Sequence, residues 1–123
     1  FVHDPVEPFE LPEYSCCADF GVIPYTARDK NFLYCTPNKM FEYIAAGLPT
    51  LCSSLPEIEK IVGKEGFGFV RDLQTPDSTA RALDELLSMN LDSMREHIIK
   101  NRRRYLWSNQ ESVIRSLYES AVA

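Results

Sequence analysis

The chain has 123 residues, 45% of them hydrophobic, which suits one domain with its own core and excludes a disordered chain or a disulfide-dependent mini-fold. Thirteen Lys and Arg against 18 Asp and Glu leave a net charge of -5, which argues against nucleic acid as the main partner, since phosphate backbones are held by an excess of cations. No apolar run is long enough to span a bilayer, and FVHDPVEPFE at the start has neither the basic nor the apolar part of a signal peptide.

Taken in order, short apolar runs alternate with helical patterns. Phe1-Val-His3 reads as the end of a strand, so the chain is expected to be a piece of something longer. Leu11 to Ala18 has helical spacing, and Phe20 to Pro24 has the length and continuous apolar character of a buried parallel strand. A connection from Tyr25 to Cys35 leads to a helix over Pro37 to Ala46. The strand Pro49 to Cys52, a helix over Pro56 to Val62 and the strand Phe67 to Val70 complete a four-stranded α/β alternation, which predicts a Rossmann-like parallel sheet. Helices alone follow. Thr75-Pro76 caps one with Ala80, Leu83, Leu86 and Leu87 on its apolar face. A second runs from Asp92 to Tyr105 with Met94 and Ile98 on its stripe. A third begins at Ser108, where S-N-Q-E reads as a capping box, and buries Ile114, Leu117, Tyr118 and Val122. With no repeat or linker, the whole of 1–123 reads as one domain, strands and helices over 1–73 and a helical tail over 74–123. Cys16, Cys17, Cys35 and Cys52 form no C-x-x-C and read as reduced, mostly buried thiols of a cytosolic protein.

The helix of TPNKMFEYIAAGLPT carries the candidate chemistry. Thr36 reads as its N-cap and Pro37 as its first residue, which places Lys39 third, in a turn whose free N–H groups and dipole disfavour a cation. At about 100° per residue, Met40, Phe41, Ile44 and Ala45 form a core face, and Asn38, Lys39, Glu42, Tyr43 and Ala46 face away. An anion at this helix start would meet free N–H groups and Lys39 at the carboxyl end of a strand, where open parallel sheets bind ligands; Glu42, one turn on, could accept hydrogen bonds from hydroxyls. Diphosphate followed by a diol describes a nucleotide. Helix physics equally allows a capped helix on which Lys39 and Glu42 pair at i, i+3.

These residues, with LPEYSCCADFGVIPY before and SSLPEIEKIV after, resemble the C-terminal, nucleotide-sugar-binding domain of GT-B glycosyltransferases, in particular the large retaining group called family 4 or group 1. F-E-Y-I-A-A-G-L-P-T stands where that group carries E-A-M-A-x-G-x-P-V. The resemblance implies that Glu42 is the second glutamate of the E-x7-E motif and binds the ribose of a UDP-, GDP- or dTDP-sugar. It implies that Thr36, Pro37, Asn38 and Lys39 face the diphosphate, that Tyr34 stands in place of the first glutamate near the donor sugar, and that His3 and Asp4 lie in the base-contacting loop. Cys35 to Pro37 replace the usual Gly-Phe-Gly. No metal or other cofactor is implied, and no residue here is assigned as nucleophile or general base. The family's sheet has the order 3-2-1-4-5-6, and this chain matches it from the third strand, without the basic pair of the first βα units or the acceptor domain.

The implied parent is a cytoplasmic bacterial enzyme of polysaccharide assembly, membrane-associated in full length, which acts on a saccharide or lipid-linked acceptor and is completed by its N-terminal domain or a partner chain. A catalytically inactive nucleotide-binding or assembly module of the same fold is the alternative, and a flavodoxin-like or receiver domain is disfavoured because the chain ends in helices. His97 reads as an ordinary surface residue. Lys100 to Arg104 reads as a solvated helix face, with anionic lipid headgroups as the other reading, and Tyr105 and Trp107 as packing residues.

Overall fold

The computed structural model describes residues 4–122, and within them three apolar runs pair as one parallel sheet in the order β1 (Gly21–Ile23), β2 (Thr50–Ser53) and β3 (Gly68–Arg71). Gly21 lies opposite Thr50, and Thr50 opposite Gly68. All four residues of β2 are buried, which is why its sequence shows no alternation: a central parallel strand is covered on both faces. The fourth strand expected at Phe1 to His3 lies outside the described residues.

The helices are α1 (Leu11–Cys17), α2 (Lys30–Tyr34), α3 (Asn38–Ala46), α4 (Pro56–Ile58), α5 (Pro76–Leu87), α6 (Leu91–Asn101) and α7 (Trp107–Val122). A π-helical turn, Glu59–Gly63, continues α4, and a 3₁₀ turn, Arg102–Tyr105, continues α6. Two core clusters lie on opposite faces of β2. Cys52 joins Met40 and Ile44 of α3, Ile58 of α4, and Phe67 and Ile98, whereas Leu51 joins Phe69 with Ala82 and Leu86 of α5. The sheet is thus sandwiched, with α3, the sole α-helix between β1 and β2 that is long enough to bury a core face, on one side and α5 on the other.

Several expectations are corrected here. The connection Tyr25 to Cys35 holds a helix of its own, α2, because the Asp29 carboxylate accepts the Phe32 N–H at 3.0 Å and caps it. Thr75 caps α5 as expected and forms a capping box with Ser78, but the buried face of α5 is Ala82 and Leu86 with Leu83 beside them, while Ala80 and Leu87 are exposed. The last helix starts at Trp107, one residue before Ser108, and Glu111 pairs with Arg115 rather than closing a capping box. Nothing in α7 is buried: Leu117 is 62% exposed and Tyr118 71%, and the helix packs chiefly on the 3₁₀ turn that precedes it. Tyr105 does pack, edge-on to Phe67 with ring centroids 5.6 Å apart, but Trp107 is 70% exposed. The thiols are free, yet only Cys52 is buried; Cys16 and Cys17 are exposed, since α1 buries none of its residues.

His97 is exposed as expected, and its Nε2 lies 2.7 Å from the Glu65 carbonyl oxygen. In the basic run Arg104 pairs with Glu65, and Arg102 donates to the Ala45 carbonyl at the end of α3. That contact is what a cation near a helix C-terminus is expected to gain. No helix of the described residues is long and apolar enough to cross a membrane.

Candidate functional site

The site is built on α3. Its inner face is Met40 and Ile44, both buried, and its C-terminus is closed by Gly47, whose φ of 71° lies in the left-handed region. The Leu48 N–H returns to the Tyr43 carbonyl at 2.8 Å, and a Cβ at position 47 would lie 2.7 Å from Ile99 Cγ1. The helix is therefore held from inside and from its end.

Its N-terminus differs from the expected one. Pro37, not Thr36, is the N-cap, with ψ of 139° and its carbonyl accepting the Met40 N–H at 2.9 Å. A proline has no side-chain acceptor, and the exposed Thr36 hydroxyl caps nothing, so the N–H groups of Asn38 and Lys39 meet no side-chain cap. Lys39 becomes the second helical residue, one step nearer the open end. By contrast, α2, α5 and α6 are capped by Asp29, Thr75 and Asn90.

Asn38, Lys39 and Glu42 are all exposed, and the i, i+3 ion pair between Lys39 and Glu42 does not form. Two members of the assumed wheel faces exchange sides. Tyr43 is half-buried against the core cluster, and Ala45 is exposed. With Ala45 outward, two clefts meet at the ridge formed by Glu42 and Ala45. One, of about 280 Å³, lies between α3 and α1 and is walled by Pro8, Leu11, Pro12 and Cys16 opposite Glu42 and Ala46. The other, of about 510 Å³, lies between α3 and the start of α7 and is walled by Phe41, Tyr105, Leu106 and Trp107. The larger cleft is almost wholly apolar. The smaller one adjoins the side of α3 that carries Lys39.

Sequence reasoning placed Asn38, Lys39 and Glu42 together, and the structure brings them onto one exposed side within two helical turns. Tyr34 ends α2, is 59% exposed and lines neither cleft; Asp4 is exposed and lines neither. His3 lies outside the described residues. The α1 wall was not foreseen, although Leu11 and Cys16 were visible as apolar residues of a helix. Among the described residues no group of three His, Cys, Asp or Glu side chains is placed to hold a metal ion.

Two ionisable groups behind the site are shifted. Burial raises the Tyr43 phenol above its ordinary value, with the Glu42 carboxylate adding to the effect. Burial alone pushes the Cys52 thiol up to about 12, so it stays neutral and serves as a small apolar core residue.

A three-stranded parallel sheet with helices on both faces defines an α/β domain, and the family model for glycosyl transferases group 1 matches residues 1–89. The chain belongs to that family. It is also similar to a protein of Bacillus subtilis (strain 168) named as a candidate teichuronic acid biosynthesis glycosyltransferase, TuaH, at 30% identity over 100 residues, which cover 81% of this chain and 25% of the relative. The chain thus spans about a quarter of the length of the curated relative it matches. No solved structure matches it.

Proposed function

We propose that this chain is the donor-binding part of a GT-B glycosyltransferase of the retaining group 1 type, and that the clefted side of α3 holds a nucleoside diphosphate sugar. The observation that carries the reading is the uncapped start of α3 with Lys39 beside it and Glu42 one turn on, at the rim of a cleft. Residues 38 and 42 stand about 6 Å apart along a helix axis, a span like that between a ribose and its 5′ phosphate. The nucleoside lies in the 280 Å³ cleft against Leu11, Pro12 and Ala46, and Glu42 accepts hydrogen bonds from the ribose hydroxyls. The diphosphate lies over the N–H groups of Asn38 and Lys39, where the helix dipole and the Lys39 ammonium oppose its charge.

The chemistry follows from that placement. As the bond between the sugar's anomeric carbon and the diphosphate oxygen breaks, negative charge grows on the leaving oxygen, and donors already aimed at it stabilise that charge without reorganising. The acceptor hydroxyl is positioned by the remainder of a longer protein or by a partner chain. A saccharide or lipid-linked acceptor in polysaccharide assembly accords with the relative's name, which concerns teichuronic acid biosynthesis.

Calorimetric titration with UDP, GDP and dTDP tests the reading. Glu42→Gln should weaken the preferred nucleotide by about tenfold, the worth of one hydrogen bond to a charged group. Lys39→Ala should weaken it several-fold, and less so at high salt. Equal affinity in wild type and both variants would remove this assignment, and binding without any transfer by the longer protein would identify an inactive module instead.

A further inference from the structure

Both walls of the smaller cleft are referenced to one residue, Gly21. Only three residues, 18–20, join the end of α1 to Gly21, which ties the α1 wall to the start of β1, and the Arg95 guanidinium of α6 fixes that link by donating to the Ala18 carbonyl at 2.6 Å. The α3 wall meets β1 at the same point. A Cβ at position 21 would overlap Cδ2 and Cε2 of Tyr43 and lie 2.9 Å from its Cγ, so the tyrosine ring lies flat in the space that any other residue's side chain would need. The Gly21 N–H meanwhile donates to the Pro49 carbonyl at 2.8 Å, a bond that a retreat of the backbone there would stretch.

We propose that Tyr43 is a positioning residue for the nucleotide: its ring, seated on Gly21, sets the rotation of α3 against β1 and so the distance from Glu42 to the α1 wall. The inference rests on the donor-binding reading above. Tyr43 is the residue next to Glu42, so any turn of the helix that relieves the ring moves the carboxylate. The outer surface of a helix is about 5 to 6 Å from its axis, and a rotation of about 20° carries a side-chain end through about 2 Å. Displacements of that order are enough to undo a well-placed contact, where 1 Å can cost as much as about a hundredfold. The hydroxyl has no part in this seating, so the ring alone is required.

The test uses the whole chain with UDP, GDP and dTDP as probes. Tyr43→Phe keeps the ring and should bind the preferred nucleotide within about twofold of wild type, whereas Gly21→Ala and Tyr43→Leu should each bind it at least about tenfold more weakly. Leu86→Val, which loosens the core beneath α5 on the opposite face, should lower thermal stability without changing affinity. Folded Gly21→Ala and Tyr43→Leu proteins with wild-type affinity would overturn the inference, as would an equal loss in Leu86→Val. A wild type that binds none of UDP, GDP and dTDP overturns the donor-binding reading instead. In that case ligand-free NOEs decide the positioning role: contacts from Glu42 and Ala46 to Cys16 should change in Gly21→Ala, and their persistence would end the proposal.

Discussion

Lys39 stands at the second position of α3, where the helix dipole opposes a cation and no carboxylate compensates it. Such a residue costs a few tenths of a kcal/mol in the free helix and returns that only when an anion arrives. Its position was legible from T-P-N-K to within one residue. The error lay at Thr36, a good capping residue displaced by a proline whose own carbonyl starts the helix. Ala45 and Tyr43 were misplaced because a wheel gives angles and not the direction of the sheet; the bare backbone of Gly21 decides which flank is drawn inward. At this scale the thiols give a clear expectation. Cys16 and Cys17 should react with a thiol reagent in the native protein, and Cys52 only on unfolding. Because the Cys52 pKa is raised to about 12, the folded state keeps a proton that the unfolded state loses above the ordinary value of 9.0. That contribution is intact below pH 9 and lost as pH rises toward 12, so stability should fall over that window, and less steeply in Cys52→Ala. Denaturant titrations at several pH values check it.

Among the elements, the three strands could be read as short continuous apolar runs, most plainly the central β2, where burial on both faces removes alternation. The five-residue α2 could not, since a helix of that length owes its existence to one Asp29 cap rather than to any periodicity. The turn that ends α3 is set by Gly47, which is both left-handed and pressed against Ile99 of α6. Gly47→Ala should therefore destabilise the fold by more than the roughly 1 kcal/mol expected from the backbone conformation alone. Gly68→Ala should be worse, because its Cβ would fall on the Thr50 carbonyl and 2.8 Å from the Thr50 nitrogen, between β2 and β3. Thermal unfolding of the two variants should rank them in that order. Thr75→Ala, which removes an intact capping box, should cost about 1 kcal/mol.

For the whole molecule, composition and alternation gave the class of fold, and three strands are described in the expected parallel order. The role of the last helix was not legible, because an apolar stripe looks the same whether or not the chain supplies its cover. In α7 that stripe is exposed, so its amides should exchange with solvent far faster than those of β2, and truncation after Leu106 should change unfolding free energy by less than about 1 kcal/mol. Amide chemical-shift mapping by NMR during a titration with UDP, GDP and dTDP shows where a nucleotide sits. Donor binding on the clefted side of α3 should concentrate shifts at Asn38, Lys39, Glu42 and the α1 wall from Leu11 to Cys16. Shifts centred on Tyr105 to Gln110 in the larger cleft, or none at millimolar nucleotide, would contradict it.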